Sequence, residues 1–364
     1  MITLLLAIAT IAYVLMMLFL SIGLNRADRA KTVENYEPRV SVIVAARNEE
    51  EHIGRCIESL FSIEYPRDKL EIIIVNDSST DRTADILEEY RRSKSFRVLR
   101  TKPGEGNLRG KANALAQGIE ASSGEILMFT DADCTVNPDW IRQTIQFFSQ
   151  EVGVVGGFTL LRANRTFEGV QALDWVFLFS LSSATAGWNI PLTAIGNNLS
   201  LRRSAYDKTG GYREIPFSVT EDYSLVRAIR NKTGLEVRFP ANAQSVVTSS
   251  ACRDWKQLFH QKQRWGVGGL DMVYYGILIM AVGWIFRLLL LLGAFGASLP
   301  VLGLSIITAI LVDGKFIGKA LWHFKALRYL KYLFAFEIYF TFYVLAIPII
   351  AIVSRKVMWK ERTL

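Results

Sequence analysis

Cysteine and histidine are scarce in this chain of 364 residues, which has only three of each. The cysteines, Cys56, Cys134 and Cys252, are widely spaced and form no C-x-x-C pair. This spacing excludes a disulfide scaffold and a cysteine-based zinc site. The sequence also lacks a Walker A lysine loop, and no G-x-G-x-x-G opens its first predicted helix. These absences argue against a P-loop protein and a dinucleotide-binding protein.

Hydrophobic residues, by contrast, are abundant. They make up 51% of the chain, while charged residues still reach 21% and the formal net charge is +8. The hydrophobic content excludes a disordered chain. The charged content is too high for a bundle made only of membrane helices. The composition therefore predicts a charged soluble domain joined to membrane spans.

The first apolar run covers residues 3–24, which carry no charge. It is long enough to cross a hydrocarbon core of about 30 Å. A signal peptide is the alternative, but the run is long, no basic residue precedes it and no clear small-residue cleavage site follows. Arg26, Arg29 and Lys31 place the following side in the cytoplasm. We expect a transmembrane anchor at residues 1–25 in the inner or plasma membrane.

The second apolar region lies within residues 271–364. Residues 275–312 are apolar except for Arg287, and a Gly/Pro break at 296–300 predicts either two short spans or one span and a re-entrant segment. Residues 333–353 form another candidate span. The basic residues between them alternate with Phe, Leu and Trp, which predicts a basic interfacial helix. They are Lys315, Lys319, Lys325, Arg328 and Lys331.

The basic residues on the two sides of the last candidate span predict conflicting topologies. The basic residues before it and the basic tail after it both favour the cytoplasm, although one apparent span separates them. The tail residues are Arg355, Lys356, Lys360 and Arg362. The sequence leaves this topology open.

Residues 26–270 read as alternating strands and helices. Apolar runs at 40–46, 70–75 and 126–129 predict buried strands, and residues 49–61 and 81–90 have helical spacing, the second opened by an Asp81 cap. This alternation predicts a cytoplasmic α/β domain with a mostly parallel sheet. Ligands bind outside the carboxyl ends of the strands in such sheets.

Polar motifs follow these strands. They are A-A-R-N-E at 45–49, N-D-S-S-T-D at 76–81 and T-D-A-D at 130–133. Two carboxylates one residue apart suit Mg²⁺ or Mn²⁺, which keeps positions for water and phosphate. A solvated loop is the alternative for an isolated D-x-D. The place of this motif after a buried strand, with Asp77 at another strand end, favours a metal site.

Three further motifs lie in the second half of the domain, each with a plainer alternative. G-N-N-L-S at 196–200 is either part of a site or a polar loop. T-E-D at 220–222 is either part of a site or a helix start capped by Thr220. Q-K-Q-R-W at 261–265 is either part of a site or a basic-aromatic anchor beside the membrane.

In order and spacing, these motifs resemble those of family 2 glycosyltransferases, which are membrane-bound inverting enzymes. The resemblance runs from Ala45 to Trp265, although Ala45 stands where many members have proline. It implies a GT-A domain, which is Rossmann-like with a mostly parallel sheet, flanked by transmembrane helices.

The resemblance also implies roles for single residues. Asp77 would contact the base or ribose of a nucleotide sugar, and Asp131 and Asp133 would hold the nucleotide and a divalent cation. Asp222 would be the general base, and Arg264 would bind the diphosphate. The other expected substrate-binding residues are Ala45, Arg47, Glu49, Gln261 and Trp265, together with Lys111, which either reaches the nucleotide or only begins a helix.

The implied reaction is transfer of one sugar, with UDP-glucose as the first candidate donor, to a membrane lipid hydroxyl. Ceramide, diacylglycerol and carotenoid glucosyltransferases are similar. The apolar residues 170–188 form either an acceptor doorway or a buried helix; their aromatic residues include Trp175, Phe177, Phe179 and Trp188. A processive polysaccharide synthase and a basic membrane scaffold are the alternatives. No nucleic-acid recognition motif is present, and the oligomeric state stays open.

Overall fold

The computed structural model describes residues 1–270, 272–354, 358–359 and 362–363. Its helices are α1 Ile2–Asp28, α2 Ile53–Phe61, α3 Thr83–Ser93, α4 Gly110–Glu120, α5 Trp140–Ile145, α6 Thr166–Gly187, α7 Arg203–Thr209, α8 Gly211–Glu214, α9 Glu221–Thr233, α10 Trp255–Gly269, α11 Tyr274–Gly293, α12 Leu299–His323 and α13 Leu333–Val353. Its strands are β1 Val40–Ala46, β2 Leu70–Asn76, β3 Arg97–Arg100, β4 Ile126–Asp131, β5 Val152–Gly156, β6 Thr159–Arg162, β7 Asn198–Arg202, β8 Glu236–Arg238, β9 Val247–Ser250, β10 Met358–Trp359 and β11 Arg362–Thr363. Three 3₁₀ helices cover Arg67–Lys69, Ala243–Ser245 and Leu327–Tyr332.

The centre of the domain is a seven-stranded sheet in the order β3-β2-β1-β4-β7-β5-β8. All its pairings are parallel except those that β7 makes with β4 and β5. One face packs on α2, α3 and α5, and the other on α4, α7 and α9. The Val/Ile strands are buried because helices cover both faces. The predicted mostly parallel α/β fold is confirmed.

The register of the strands sets the position of the polar motifs. Ala46 at the end of β1 lies opposite Asn76 at the end of β2, and Ala45 lies opposite Asp131 at the end of β4. The three strands therefore end in one row, and the loops that follow them open at the same edge of the sheet.

Two predicted helix starts are wrong. The first helix begins at Ile53 rather than at residue 49, because Asn48 has a positive φ of 51° and the next backbone N–H groups bond to the following loop. The N–H of Glu50 donates to Asp81 Oδ2 at 3.1 Å. Asp81 was predicted to begin and cap the next helix, but α3 begins at Thr83. The cap itself is present, because Asp81 Oδ1 accepts the N–H of Thr83 at 3.0 Å while Oδ2 links the two loops.

Residues 275–312 were predicted to form either two short spans or one span and a re-entrant segment. The structure has two long helices, α11 and α12, and α12 extends beyond this region to His323. Four helices of the described part are long and apolar enough to cross a membrane, at Ile2–Asp28, Tyr274–Gly293, Leu299–His323 and Leu327–Val353. The basic tail lies outside the described residues, apart from the backbone of Arg362.

The predicted separate basic interfacial helix is wrong. Lys315 and Lys319 belong to the last turns of α12, which ends at His323. Lys325 has a positive φ of 53°, so the chain turns there before the 3₁₀ helix that carries Arg328 and Lys331. The basic residues cluster at the junction of α12 and α13.

A buried polar cluster joins the four long helices. Arg287 on α11 forms ion pairs with Asp313 on α12 and, at 2.7 Å, with Glu337 on α13. The hydroxyl of Tyr13 on α1 donates to Asp313 at 2.6 Å. Charged groups inside a membrane bundle need such partners, because each unpaired charge in hydrocarbon costs several kcal/mol.

Helix α1 also packs closely on α6 at two glycines. A methyl group on Gly23 would overlap the carbonyl oxygen of Ala184 and the indole of Trp188, and one on Gly187 would overlap the backbone of Gly23. Small residues let helix backbones approach closely in membranes. This contact fixes the anchor helix to the α/β domain.

Gly23→Leu should therefore destabilise the protein by about 1–3 kcal/mol, the range for overpacking. The control is Gly303→Leu on α12, where a new methyl group meets nothing within 4 Å. Thermal unfolding of the detergent-solubilised protein should give a lower Tm for Gly23→Leu only. Equal Tm values for the two variants would contradict the proposed role of this contact.

Candidate active site

The first two strand-end loops are bonded to each other through Arg47 and Asp77. The buried Arg47 guanidinium donates to the carbonyl oxygens of Asp77, at 2.7 Å, and Ser78, at 2.9 Å. The Asp77 N–H donates to Ala46 O at 2.8 Å, and its carboxylate accepts a bond from Thr101 Oγ1 at 3.1 Å. The Asp77 carboxylate is thus held in one orientation at the strand edge.

Asp131 and Asp133 lie at the end of β4, on either side of the buried Ala132. Asp131 forms an ion pair with Lys111 Nζ at 2.5 Å. Asp133 accepts bonds from Ser249 Oγ at 3.3 Å and Cys134 Sγ at 3.2 Å. Both carboxylates are therefore bonded to other side chains, which a solvated loop would not require.

Lys111 connects this motif to the T-E-D motif. Its ammonium group also lies 3.6 Å from Glu221 Oε1. Burial opposes the charge on Lys111, but the carboxylates of Asp131 and Glu221 raise the pKa of the lysine overall. Lys111 stays charged and occupies the space between the two acidic motifs.

Asp222 is held by two backbone donors. The N–H of Gly196 donates to its Oδ2 at 2.7 Å, and the N–H of Tyr223 donates to its Oδ1 at 2.8 Å. Burial and the neighbouring charge of Glu221 raise the pKa of Asp222 to about 6, although Lys111 and the two N–H donors oppose the shift. A carboxylate with such a pKa can accept a proton near neutral pH.

The predicted Thr220 cap is only partly correct. Thr220 occupies the N-cap position of α9, but its side chain makes no capping bond and instead lies 3.2 Å from Ser218 Oγ. The helix begins at Glu221, so the two acids stand at its positive end. This position favours their charged form.

Helix α10 carries the Q-x-x-R-W motif. Asp254 caps its start by accepting the N–H of Gln257 at 2.8 Å. The Trp265 ring lies 5.4 Å from the ring of Trp175 on α6. The ammonium group of Lys262 lies 4.1 Å from the Trp265 ring and pairs with the buried Asp174. Burial lowers the pKa of Lys262, against the effect of Asp174.

One cavity of about 940 Å³ is lined by residues from all of these motifs. The predicted site residues that line it are Ala45, Arg47, Glu49, Asp77, Lys111, Asp131, Asp133, Asp222, Gln261, Arg264 and Trp265. The same cavity extends between the long helices, where Met16, Leu20, Leu181, Ile277, Met280 and Ile347 line it. It therefore has an acidic end at the sheet and an apolar end among the candidate membrane spans.

Residues 170–188, predicted to be an acceptor doorway or a buried helix, lie on α6 and just after it, and most of the helix is buried. Phe179 is fully buried and packs on Phe158. Trp175 and Phe177 line the cavity. Trp188 follows the helix and stacks on Phe19 of α1 at 4.7 Å. The helix is a buried wall whose one side faces the cavity.

Several cavity residues were not predicted from the sequence. Glu221 is the charged neighbour of both Lys111 and Asp222, and Gly196 supplies a backbone donor. The G-N-N motif was left open between site and loop. The structure places its first two residues before β7 and the others in that strand. The Gly196 N–H bonds to Asp222, and Asn198 accepts the indole N–H of Trp140 at 2.9 Å in the core. No sequence signal marked Lys262 and Asp174 as a pair.

Asp131 and Asp133 could bind a divalent cation if the substrate supplied the remaining ligands. Asp131 and Asp133 both face the cavity, and Asp131 already binds the positive charge of Lys111. Within the described residues no group of three or more His, Cys, Asp or Glu side chains could hold a metal. Two carboxylates leave coordination positions for phosphate oxygens.

Comparison with known proteins identifies the domain. Residues 41–221 match the model of the family described as Glycosyl transferase family 2. These residues form a domain of this family. The match ends one residue before Asp222, so the assignment of Asp222 and of the motif on α10 rests on geometry and on the resemblance of their motifs.

The chain is similar to proteins that are named for different reactions. It is 31% identical over 244 residues to a beta-monoglucosyldiacylglycerol synthase of Synechocystis sp., which covers 64% of this chain and 48% of that protein. It is 28% identical over 254 residues to a poly-beta-1,6-N-acetyl-D-glucosamine synthase of Staphylococcus epidermidis, covering 68% and 59%. The chain spans about half the length of the relatives it matches.

A solved structure shares the fold over almost the whole chain. It is the mannosyltransferase PcManGT from Pyrobaculum calidifontis, in complex with GDP-Man and Mn²⁺. The TM-score is 0.63 at 20% identity, and the likeness covers 93% of this chain and 99% of that one. The predicted GT-A fold with flanking apolar helices is confirmed.

Proposed function

We propose that this family 2 glycosyltransferase transfers one sugar from a nucleotide sugar to a hydroxyl group of a membrane lipid. The observation that carries the proposal is the single cavity, which joins the acids at the strand ends to the apolar walls of α1, α6, α11 and α13. A polar donor suits the first end, and an acyl chain suits the second. The name of the Synechocystis relative, a glucosyldiacylglycerol synthase, supports a lipid acceptor and makes UDP-glucose the first donor to test.

The donor would lie along the strand ends. Asp77 lies where it could contact the base or ribose, since its carboxylate is fixed at the end of β2. Arg264 on the facing helix would pair with the diphosphate, because a guanidinium can donate two parallel bonds to phosphate oxygens. Asp131 and Asp133 would hold Mg²⁺ or Mn²⁺, which when bound neutralises charge on the leaving diphosphate.

Lys111 would have to change partners when a cation binds. Its 2.5 Å contact with Asp131 uses an oxygen that a metal ligand set would need. Glu221 lies 3.6 Å away and offers the ammonium group a second carboxylate. Lys111 would then remain near Asp222 and stabilise its charged form.

Asp222 would act as the general base. Its two backbone donors fix the carboxylate, and the acceptor hydroxyl would give its proton to a free lone pair. The acceptor oxygen would then form a bond to the anomeric carbon as the bond to the diphosphate breaks on the opposite side. One base and one displacement give inversion of configuration, whereas a retaining hydrolase needs two facing carboxylates.

The activity test uses purified protein, labelled UDP-glucose and a panel of diacylglycerol, ceramide and water-soluble sugar acceptors. We expect one product carrying one β-linked sugar on a lipid. EDTA should abolish product formation, and Mg²⁺ or Mn²⁺ should restore it.

A ladder of products would favour a polysaccharide synthase instead, as the name of the Staphylococcus relative allows. Undiminished transfer in EDTA would exclude the cation role of Asp131 and Asp133. No transfer from any nucleotide sugar would favour a scaffold.

Asp222→Asn should lower kcat by about 10²–10⁴-fold, the usual range for a general base. Donor affinity should stay unchanged. The matched control is Asp207→Asn, which changes an exposed acid on α7.

In the wild-type chain, kcat/KM should fall tenfold per pH unit below about 6, since a raised pKa keeps Asp222 protonated there. Glu221→Gln removes a charge that raises this pKa, so the acid limb should move to lower pH. An acid limb unmoved by Glu221→Gln, or full activity of Asp222→Asn, would exclude Asp222 as the base.

A further inference from the structure

Both ends of α13 contact the α/β domain. At its start, the ring of Tyr332 packs on the backbone of Gly169 in the first turn of α6. At its end, Gln263 on α10 donates from Nε2 to Ser354 Oγ at 3.1 Å, and Ile347 packs on Gly266. A helix that leaves the domain to cross a bilayer would contact it at one end only.

Each of the other three long helices, α1, α11 and α12, contacts the domain at one end only. The start of α1 meets the α11–α12 connection, where the Ser298 N–H donates to Thr3 Oγ1 at 3.1 Å and Leu6 lies against Gly293. The opposite ends of α1 and α12 meet beside the domain, where Lys319 pairs with Asp28 at 2.5 Å. Helices α1, α11 and α12 therefore share one end near the domain and one end away from it.

The residues between the two ends of α13 pack on α11. Arg287, in the half of α11 away from the domain, bonds to Glu337. Trp284, one turn nearer the domain, donates from Nε1 to the carbonyl oxygen of Leu345 at 3.3 Å. Helix α13 therefore contacts α11 along its length while both of its ends contact the α/β domain. Its 21 residues span about 31 Å at 1.5 Å per residue, which lets it lie along the underside of the domain.

The exposed side of α13 is apolar. Its large exposed side chains are Phe334, Ile338, Phe342, Ile349, Ile352 and Val353. Phe336 and Phe340 on the other side contact Phe177 of α6. One side therefore packs on protein and the other has no polar group suited to water, so hydrocarbon is the partner that it fits.

The basic residues before and after α13 indicate which part of the bilayer the helix occupies. Lys325, Arg328 and Lys331 precede α13, and four of the residues at 355–362 are basic. Lysine and arginine at the membrane surface are attracted to anionic headgroups on the cytoplasmic side. If α13 spanned the bilayer, it would put these two basic segments on opposite sides. If α13 does not span, both segments lie on the side that they favour.

We propose that α13 does not cross the membrane and instead lies in the leaflet next to the α/β domain, with its apolar side against the acyl chains of that leaflet. The chain then crosses the bilayer three times, through α1, α11 and α12. This inference does not depend on the reaction that the domain catalyses.

Variants with one accessible cysteine, in sealed membrane vesicles of both orientations, test this topology. The background is Cys252→Ser, since Cys56 and Cys134 are buried. The test sites are Lys325→Cys before α13 and Ser354→Cys after it, and a cysteine appended after Leu364 gives a second report on the later side. The references are Ser93→Cys on the α/β domain and Phe295→Cys between α11 and α12, where the side chain is 87% exposed. A membrane-impermeant maleimide is the probe.

We expect Lys325→Cys, Ser354→Cys and the appended cysteine to label in the same vesicles as Ser93→Cys, and Phe295→Cys to label in the opposite ones. Labelling of Ser354→Cys or the appended cysteine together with Phe295→Cys would make α13 a span and overturn the proposal.

Discussion

A buried ion pair between Lys262 on α10 and Asp174 on α6 holds together the two ends of the cavity. Lys262 stands between Gln261 and Arg264 in the helix that faces the strand ends, and Asp174 lies on the helix that packs on the anchor α1. Tyr339 of α13 also contacts Asp174, at 3.5 Å. Removing one partner of such a pair leaves an uncompensated buried charge, at a cost of about 3–5 kcal/mol. Arg264 and Trp265, which line the cavity from the same helix, depend on this contact for their position.

The chemistry of the site depends on a few acids inside a basic protein. Part of the net charge of +8 lies at the ends of the candidate membrane spans, where Lys319, Lys325 and Arg328 are found. The cavity holds the opposite excess at its sheet end, with Lys111 as the cation between Asp131 and Glu221. A cation and a diphosphate can enter such a site together, since each compensates the charge of the other.

Much of the α/β domain was predictable because its signals are local. The runs of Val and Ile predicted buried strands, and the acids after them lie at one edge because parallel strands end together. The cavity lining contains every residue predicted for the site. The pairing of Lys262 with Asp174 was not predictable, because it joins distant parts of the chain. The contacts of both ends of α13 with the α/β domain were not predictable either, since hydropathy measures length and apolarity but not packing.

The central claim is that the acceptor reaches Asp222 through the apolar end of the cavity, and two adjacent residues of α11 test it most directly. Ile277 lines the cavity, and the next residue, Leu278, is 64% exposed and is not among the lining residues. Ile277→Trp should reduce transfer to a long-chain lipid at least tenfold while leaving the slow hydrolysis of the nucleotide sugar by water unchanged. Leu278→Trp should leave both rates unchanged. Equal lipid transfer by the two variants would contradict an acceptor route through this cavity.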